Sequence, residues 1–202
     1  TINCAVATVA GAMRLAGNVK GKNVLITGLG LLGNIAVAMC KTAGAKSVIT
    51  VDIDAERLAQ SKRFGATETY QLIADIDLKT KLSSHKVDIA FEMSGAPEAA
   101  ELGLDCLSIG GIAIWIGAVF KTRAIQVDAE QVIRKLISIK GLHNYNFEDL
   151  QEALKFMTTH HRSFPFDEVV EKEFPLSEAT KAFEYALNHK PLRVGVYIDE
   201  QK

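Results

Sequence analysis

Gly28-Leu29-Gly30-Leu31-Leu32-Gly33 spells G-x-G-x-x-G, a pattern whose chemistry is the cradling of a dinucleotide pyrophosphate. The context strengthens it. The pattern follows an apolar run over 22–27 and opens an apolar stretch over 31–43. Asp52 closes the next apolar run, roughly two dozen residues on. Gly28 permits the tight turn, Gly30 lets backbone approach the pyrophosphate, and Gly33 lets the helix pack against the strand. The helix start at Leu31 and Leu32 offers free N–H groups and a positive dipole end to phosphate. Asp52 would accept hydrogen bonds from the adenosine ribose hydroxyls. Its charge repels a 2′-phosphate, which favours NAD over NADP; the plainer alternative is a solvated strand end. Asp54 adds negative charge beside it. Arg57 lies either against the ribose edge or in solvent on an amphipathic helix.

These residues need a scaffold, and the chain alternates the elements of one. A small, apolar segment over 5–16 has helical spacing and is broken at Gly17-Asn18. Strands are expected over 22–27, 47–51, 66–72, 87–92, 112–116 and 136–140. Helices are expected over 31–43 and 54–64, with a further one opened by Pro97. Gly110-Gly111 reads as punctuation before the fifth strand. Strands alternating with helices give the α/β class, a doubly wound parallel Rossmann sheet. After about Asn146 the character changes. Helices over 147–159 and 177–188, the second with Ser177 as N-cap, flank a strand-like alternation over 169–174, and a last strand covers 193–198.

Composition narrows the function classes. The chain has 202 residues, 48% apolar and 23% charged, which is a globular profile with enough length for a sizeable core. Lysine plus arginine total 23 against 24 acidic residues, so no basic excess points to nucleic acid or to an anionic membrane. No apolar run reaches membrane-spanning length. Cys4, Cys40 and Cys106 are too few and too dispersed for a disulfide framework, so a reducing, cytoplasmic setting is expected. Thr1 has neither an initiator Met nor a signal-peptide pattern near it, and the sequence reads as part of a longer chain.

With these residues in place, the sequence resembles the nucleotide-binding and C-terminal part of the zinc-dependent medium-chain alcohol dehydrogenases along its whole length. The matching stretches beyond the glycine motif come in order. They are Val51-Asp52-Ile53-Asp54 with Arg57, Ala59 and Phe64-Gly65-Ala66; Val87-Asp88 through Phe91-Glu92-Met93-Ser94-Gly95; Gly110-Gly111 through Ile116-Gly117; Ile139-Lys140-Gly141-Leu142; and Leu192-Arg193-Val194. The resemblance implies that Met93-Ser94-Gly95 and Ile116-Gly117-Ala118 line the nicotinamide and its ribose. It further implies that Leu142-His143-Asn144 holds the carboxamide and that Arg193 reaches the pyrophosphate. Cys4-Ala5-Val6-Ala7-Thr8 matches the place of a catalytic-zinc cysteine and of a threonine packed near the nicotinamide. A buried small hydrophobe is the ordinary alternative for such a cysteine.

A catalytic zinc needs three protein ligands and an open position. The family draws the others from an N-terminal catalytic domain, and His85, His143, His160, His161 and His189 all lie far from Cys4 in sequence. The implied organisation is a connecting helix over 1–20, an NAD-binding domain over 21–146, and a segment over 147–202 that returns to the catalytic domain. The implied activity is NAD-dependent oxidation of a small-molecule alcohol, with zinc, in the full-length enzyme. A zinc-free quinone or enoyl reductase and a non-catalytic NAD-binding domain are the rivals. A short-chain dehydrogenase is excluded, since no tyrosine has a lysine four residues later. The sixth strand would be a sheet edge, the kind that pairs across a two-fold axis in a homodimer or homotetramer.

Overall fold

A computed structural model describes residues 2–72 and 78–198. Two compact units make up the chain, one through His160 and one from His161 onward.

The first unit is an α/β sandwich around six parallel strands: β1 (Asn23–Thr27), β2 (Ser47–Asp52), β3 (Glu68–Gln71), β4 (Val87–Glu92), β5 (Leu107–Trp115) and β6 (Ser138–Gly141). Their order is β3-β2-β1-β4-β5-β6. The chain therefore reverses direction across the sheet between β1 and β4, which opens a crevice at their carboxyl ends. The register brings those ends level: Thr27 pairs with Val51 on one side and Glu92 on the other, and Glu92 pairs with Trp115. β1, β2 and β4 are nearly continuous apolar runs because both sheet faces are covered. Helices α2 (Leu31–Thr42), α3 (Ala55–Arg63), α4 (Leu78–Ser83), α5 (Pro97–Cys106) and α6 (Ala129–Lys135) form the connections. Leu25, Ile49, Val51, Leu82, Val87 and Leu107 belong to one continuous buried core.

Several expected boundaries move. The first helix is α1 (Ala7–Ala16), preceded by a π-helical turn, Ile2–Val6, that carries Cys4. β5 begins at Leu107, before Gly110-Gly111. The pairing jumps from Val87↔Leu107 to Ile89↔Ile112, and Gly110 at φ +74° absorbs the bulge, so the glycines bend a strand rather than precede it. β6 starts at Ser138 because Leu136 caps α6 in the left-handed region, at φ +53°. α4 and α6 have weak sequence patterns and were not anticipated; α6 starts where the Asp128 carboxylate accepts the N–H groups of Glu130 and Gln131.

The first compact unit extends beyond residue 146. Helix α7 (Phe147–His160) belongs to the first unit, where it packs on α1 and is joined to it by a side-chain clasp. Arg14 on α1 makes two hydrogen bonds to Asp149, at 2.7 and 2.9 Å, and the Asp149 side chain is only 2% exposed. Asn146 and Asp149 cap the helix reciprocally, each side chain accepting the other's N–H.

The second unit is a small β-α-β arrangement: β7 (Val170–Pro175), α8 (Ala179–His189) and β8 (Arg193–Tyr197), the two strands parallel. α8 is entered through a 3-10 turn over Leu176–Glu178. Its N-cap is Glu178, not Ser177, because that turn carries the chain past Ser177 before the helix begins. Among the described residues no helix is long and apolar enough to cross a membrane.

Candidate functional site

At the β1/β4 switch point lies a cleft of about 450 Å³. Gly28, Gly30, Asp52, Arg57, Met93 and Ser94, all expected from the sequence, line it, together with Thr27, Val51, Ile53, Leu72, Ala96, Glu98 and Ala99. The turn after β1 has Gly28 at φ +88°, and its N–H donates to the Val51 carbonyl at 2.9 Å. A Cβ at Gly28 would stand 2.7 Å from Ser94, and one at Gly33 would collide with the Gly28 carbonyl. Both positions are thus closed by the protein itself. Gly30 differs: a Cβ there would meet no protein atom within 4 Å. Its side faces open space in the lining of the cleft.

Gly30 is also the N-cap of α2 and brings no side chain to the helix start. The first N–H groups of the helix therefore have no cap from that residue and are available to an anion. Asn34, fully buried, holds the turn from beneath; its amide nitrogen donates to the carbonyls of Leu29 and Gly30, at 2.9 and 3.2 Å. Those carbonyls are thereby drawn toward Asn34.

Asp52 is 7% exposed and rigidly oriented. One carboxylate oxygen accepts the Leu29 N–H at 2.6 Å and the other accepts the Asp54 N–H at 3.0 Å. Each oxygen retains lone pairs for further donors. Asp54, expected to add charge, serves as the N-cap of α3 and accepts the N–H groups of Glu56 and Arg57. This places Arg57 in the first turn of α3, on the rim of the cleft.

The remaining anticipated residues fall outside the lining of the cleft. Leu29 and Leu31 are buried beneath it. Leu32 and Gly33 lie in the first turn of α2. Gly95, Ile116 and Gly117 form a backbone-to-backbone stack beside it: the N–H groups of Ile116 and Gly117 donate to the Glu92 carbonyl, and a Cβ at Gly117 would press on the chain at 93–95. Leu142 follows β6, with its N–H on the Trp115 carbonyl and its side chain beside Gly11 of α1. His143 is exposed and Thr8 is buried in α1. Arg193 opens β8 in the second unit and is exposed.

The metal donors are sparse. Cys4 is an exposed free thiol, while burial pushes the Cys106 thiol up to about 12 and the Cys40 thiol higher still, so neither is a ready ligand. Among the described residues no three His, Cys, Asp or Glu side chains come together as a metal site.

Glu92 is a residue that pattern reading passes over. It closes the apolar strand β4 at 3% exposure, and its carboxylate accepts three hydrogen bonds from Ser94 and Gly95. The available signal was an acid at the end of an apolar strand, directly before Met93-Ser94-Gly95.

Residues 32–159 match the family model described as zinc-binding dehydrogenase. An alcohol dehydrogenase of Malus domestica is 28% identical over 98% of this chain and 54% of its own length. An L-threonine 3-dehydrogenase of Chromobacterium violaceum is 32% identical over 82% of this chain and 48% of its own. Among solved structures, an alcohol dehydrogenase zinc-binding domain protein from Burkholderia ambifaria superposes with a TM-score of 0.87 at 25% identity, over 98% of this chain and 54% of that one. The chain spans about half the length of the curated relatives it matches.

Proposed function

Because this chain belongs to the zinc-binding dehydrogenase family, we propose that it is the dinucleotide-binding part of an enzyme that oxidises a small-molecule alcohol to an aldehyde or ketone with NAD. The observation that carries this reading is the cleft itself: an open backbone position at Gly30, an uncapped helix start behind it, and an oriented carboxylate, Asp52, at one end. When bound, the nicotinamide of NAD accepts the hydride removed from the alcohol carbon.

The chain's own residues bind and orient. The turn 28–30 and the first N–H groups of α2 receive the pyrophosphate. Asp52, held by two backbone donors, accepts the ribose hydroxyls and repels a 2′-phosphate. Met93 and Ser94 form the facing wall, and the stack at Gly95, Ile116 and Gly117 continues it toward the nicotinamide. We assign Leu142 and His143 to the carboxamide end, Thr8 beside it, and Arg193 to the pyrophosphate. Cys4 is the residue of this chain we assign toward zinc. The described residues do not complete a zinc site around it.

β6 is an edge strand flanked by the exposed Ile133 and Leu136. An open edge of this kind can pair across a two-fold axis, which favours a homodimer or homotetramer. Three free thiols fit a reducing cytoplasm.

Titration of the protein with NADH and NADPH, followed by nucleotide fluorescence, tests the cofactor reading. NADH is expected to bind at least about tenfold tighter, and Asp52→Ser narrows the gap. Equal affinities in the wild type overturn the NAD assignment. NAD reduction by a panel of primary and secondary alcohols, measured on the whole protein that carries this chain, tests the reaction.

A further inference from the structure

Glu92 lies behind the cleft rather than in its lining. The carboxylate oxygen Oε1 accepts the Ser94 N–H at 2.6 Å, the Ser94 hydroxyl at 2.7 Å and the Gly95 N–H at 2.6 Å. Oε2 is buried with no hydrogen-bond partner. The Glu92 main-chain carbonyl meanwhile accepts the N–H groups of Ile116 and Gly117, at 3.0 and 3.1 Å. One residue thus gathers the turns that follow β4 and β5. The turn over 93–95 has little room to move otherwise, since Ser94 packs directly on Gly28, and Gly95 on Gly117.

Burying a carboxylate at the end of a central strand is costly unless its hydrogen bonds return the expense. Here three short donors converge on one oxygen, and charge-assisted bonds of this kind are the strong ones. An apolar residue at 92 would leave the Ser94 and Gly95 N–H groups without that acceptor. Those two N–H groups would then lose the acceptor that fixes their direction in the cleft wall.

We propose that Glu92 is a positioning residue for the dinucleotide: by gripping the Ser94-Gly95 turn from behind, it sets the part of the cleft wall that abuts Gly28. The proposal rests on the reading that this cleft holds a dinucleotide. It separates Glu92 from the residues that touch the cofactor, and it assigns the buried charge to wall geometry rather than to stability of the sheet.

Three variants test it: Glu92→Met, Glu92→Gln and Glu92→Asp. Glutamine keeps Oε1 as an acceptor but gives up the charge, and it buries an amide nitrogen where Oε2 has no hydrogen-bond partner. Methionine removes the acceptor at similar length. Aspartate keeps the charge and withdraws it by one methylene. NADH dissociation constants and amide hydrogen exchange are measured on each. Glu92→Met should weaken NADH binding about tenfold or more, and Glu92→Asp and Glu92→Gln by intermediate factors. Exchange at Ser94 and Gly95 should accelerate in the Met and Asp variants. The Met93 amide, which donates to the Thr27 carbonyl, and the amides of β1 should remain protected.

If Glu92→Met fails to fold, the Asp and Gln variants carry the test. Unchanged NADH affinity in Glu92→Asp, with wild-type exchange at Ser94 and Gly95, overturns the proposal while leaving the cleft assignment intact. Faster exchange throughout β1 and β4 also overturns it, in favour of a purely structural role. A wild-type protein that binds no NADH overturns the cleft reading, and the proposal with it.

Discussion

Gly30 and Gly33 belong to one motif, yet the structure gives them different reasons for being glycine. At Gly33 an added Cβ would run into the Gly28 carbonyl, so the constraint comes from the fold. At Gly30 nothing of the protein stands within 4 Å, and the residue's φ of −65° suits any L-amino acid. Gly30→Val is therefore expected to leave unfolding free energy within about 1 kcal/mol of wild type while NADH binding falls at least about tenfold. Gly33→Ala should instead cost about 1–3 kcal/mol of stability through overpacking. Circular dichroism melts beside NADH titrations separate the two. Native melting with unchanged binding in Gly30→Val would mean that the turn cradles no phosphate.

Between elements, the clasp of α7 onto α1 is the contact with the clearest pH signature. The Arg14 hydrogen bonds, aided by the Asn146 N–H, hold the Asp149 carboxyl below its ordinary value. A folded-state pKa below the unfolded one stabilises the protein wherever the unfolded carboxylate is ionised. The contribution is thus complete above about pH 4 and is lost as pH falls through the lower folded value. Arg14→Ala leaves a buried carboxylate short of donors and should cost about 1–3 kcal/mol at neutral pH. Because a protonated Asp149 no longer needs the guanidinium, the gap between variant and wild type should shrink toward pH 3. Urea midpoints measured from pH 7 to pH 3 check this. A gap that does not change with pH would sink the ion-pair account. Gly11 permits the close approach, since a Cβ there would stand 2.8 Å from an Asp149 oxygen.

Across the whole molecule, the two units hold unequal cores. The first contains the sheet, while among the described residues of the second only Val169, Phe174 and Ala182 are buried apolar side chains. A piece of about forty residues with so little core does not sustain a fold by itself. Residues 1–160 are expected to unfold cooperatively and to bind NADH, weakened by the loss of Arg193. Residues 161–202, made separately, should be unstructured by circular dichroism. A first unit that fails to fold, or a second that folds alone, would refute this division of stability. Phe183 and Leu187 are 73% and 75% exposed on α8. They present apolar surface of the kind that seeks a partner surface.

The α/β class, the glycine turn, an acid at the end of β2 and most of the strands were legible in the sequence alone. All of these are written in short range: apolar runs of strand length, a glycine pattern at one turn, an acid at the end of the next strand. The bulge in β5 was not legible, because Gly110-Gly111 reads equally as a stop and as a bend until the pairing with β4 is known. Nor was the place of α7, which depends on a side chain 135 residues away. Glu92 shows the division most clearly. Its position at the end of an apolar strand is visible in the sequence. That its oxygen gathers the Ser94 and Gly95 donors, beside a turn wedged against two glycines from other crossovers, is decided only when three distant turns meet at the carboxyl end of the sheet. Hydrogen-bond satisfaction of a buried charge is a property of everything that surrounds it, and those surroundings come from segments that local periodicity does not connect.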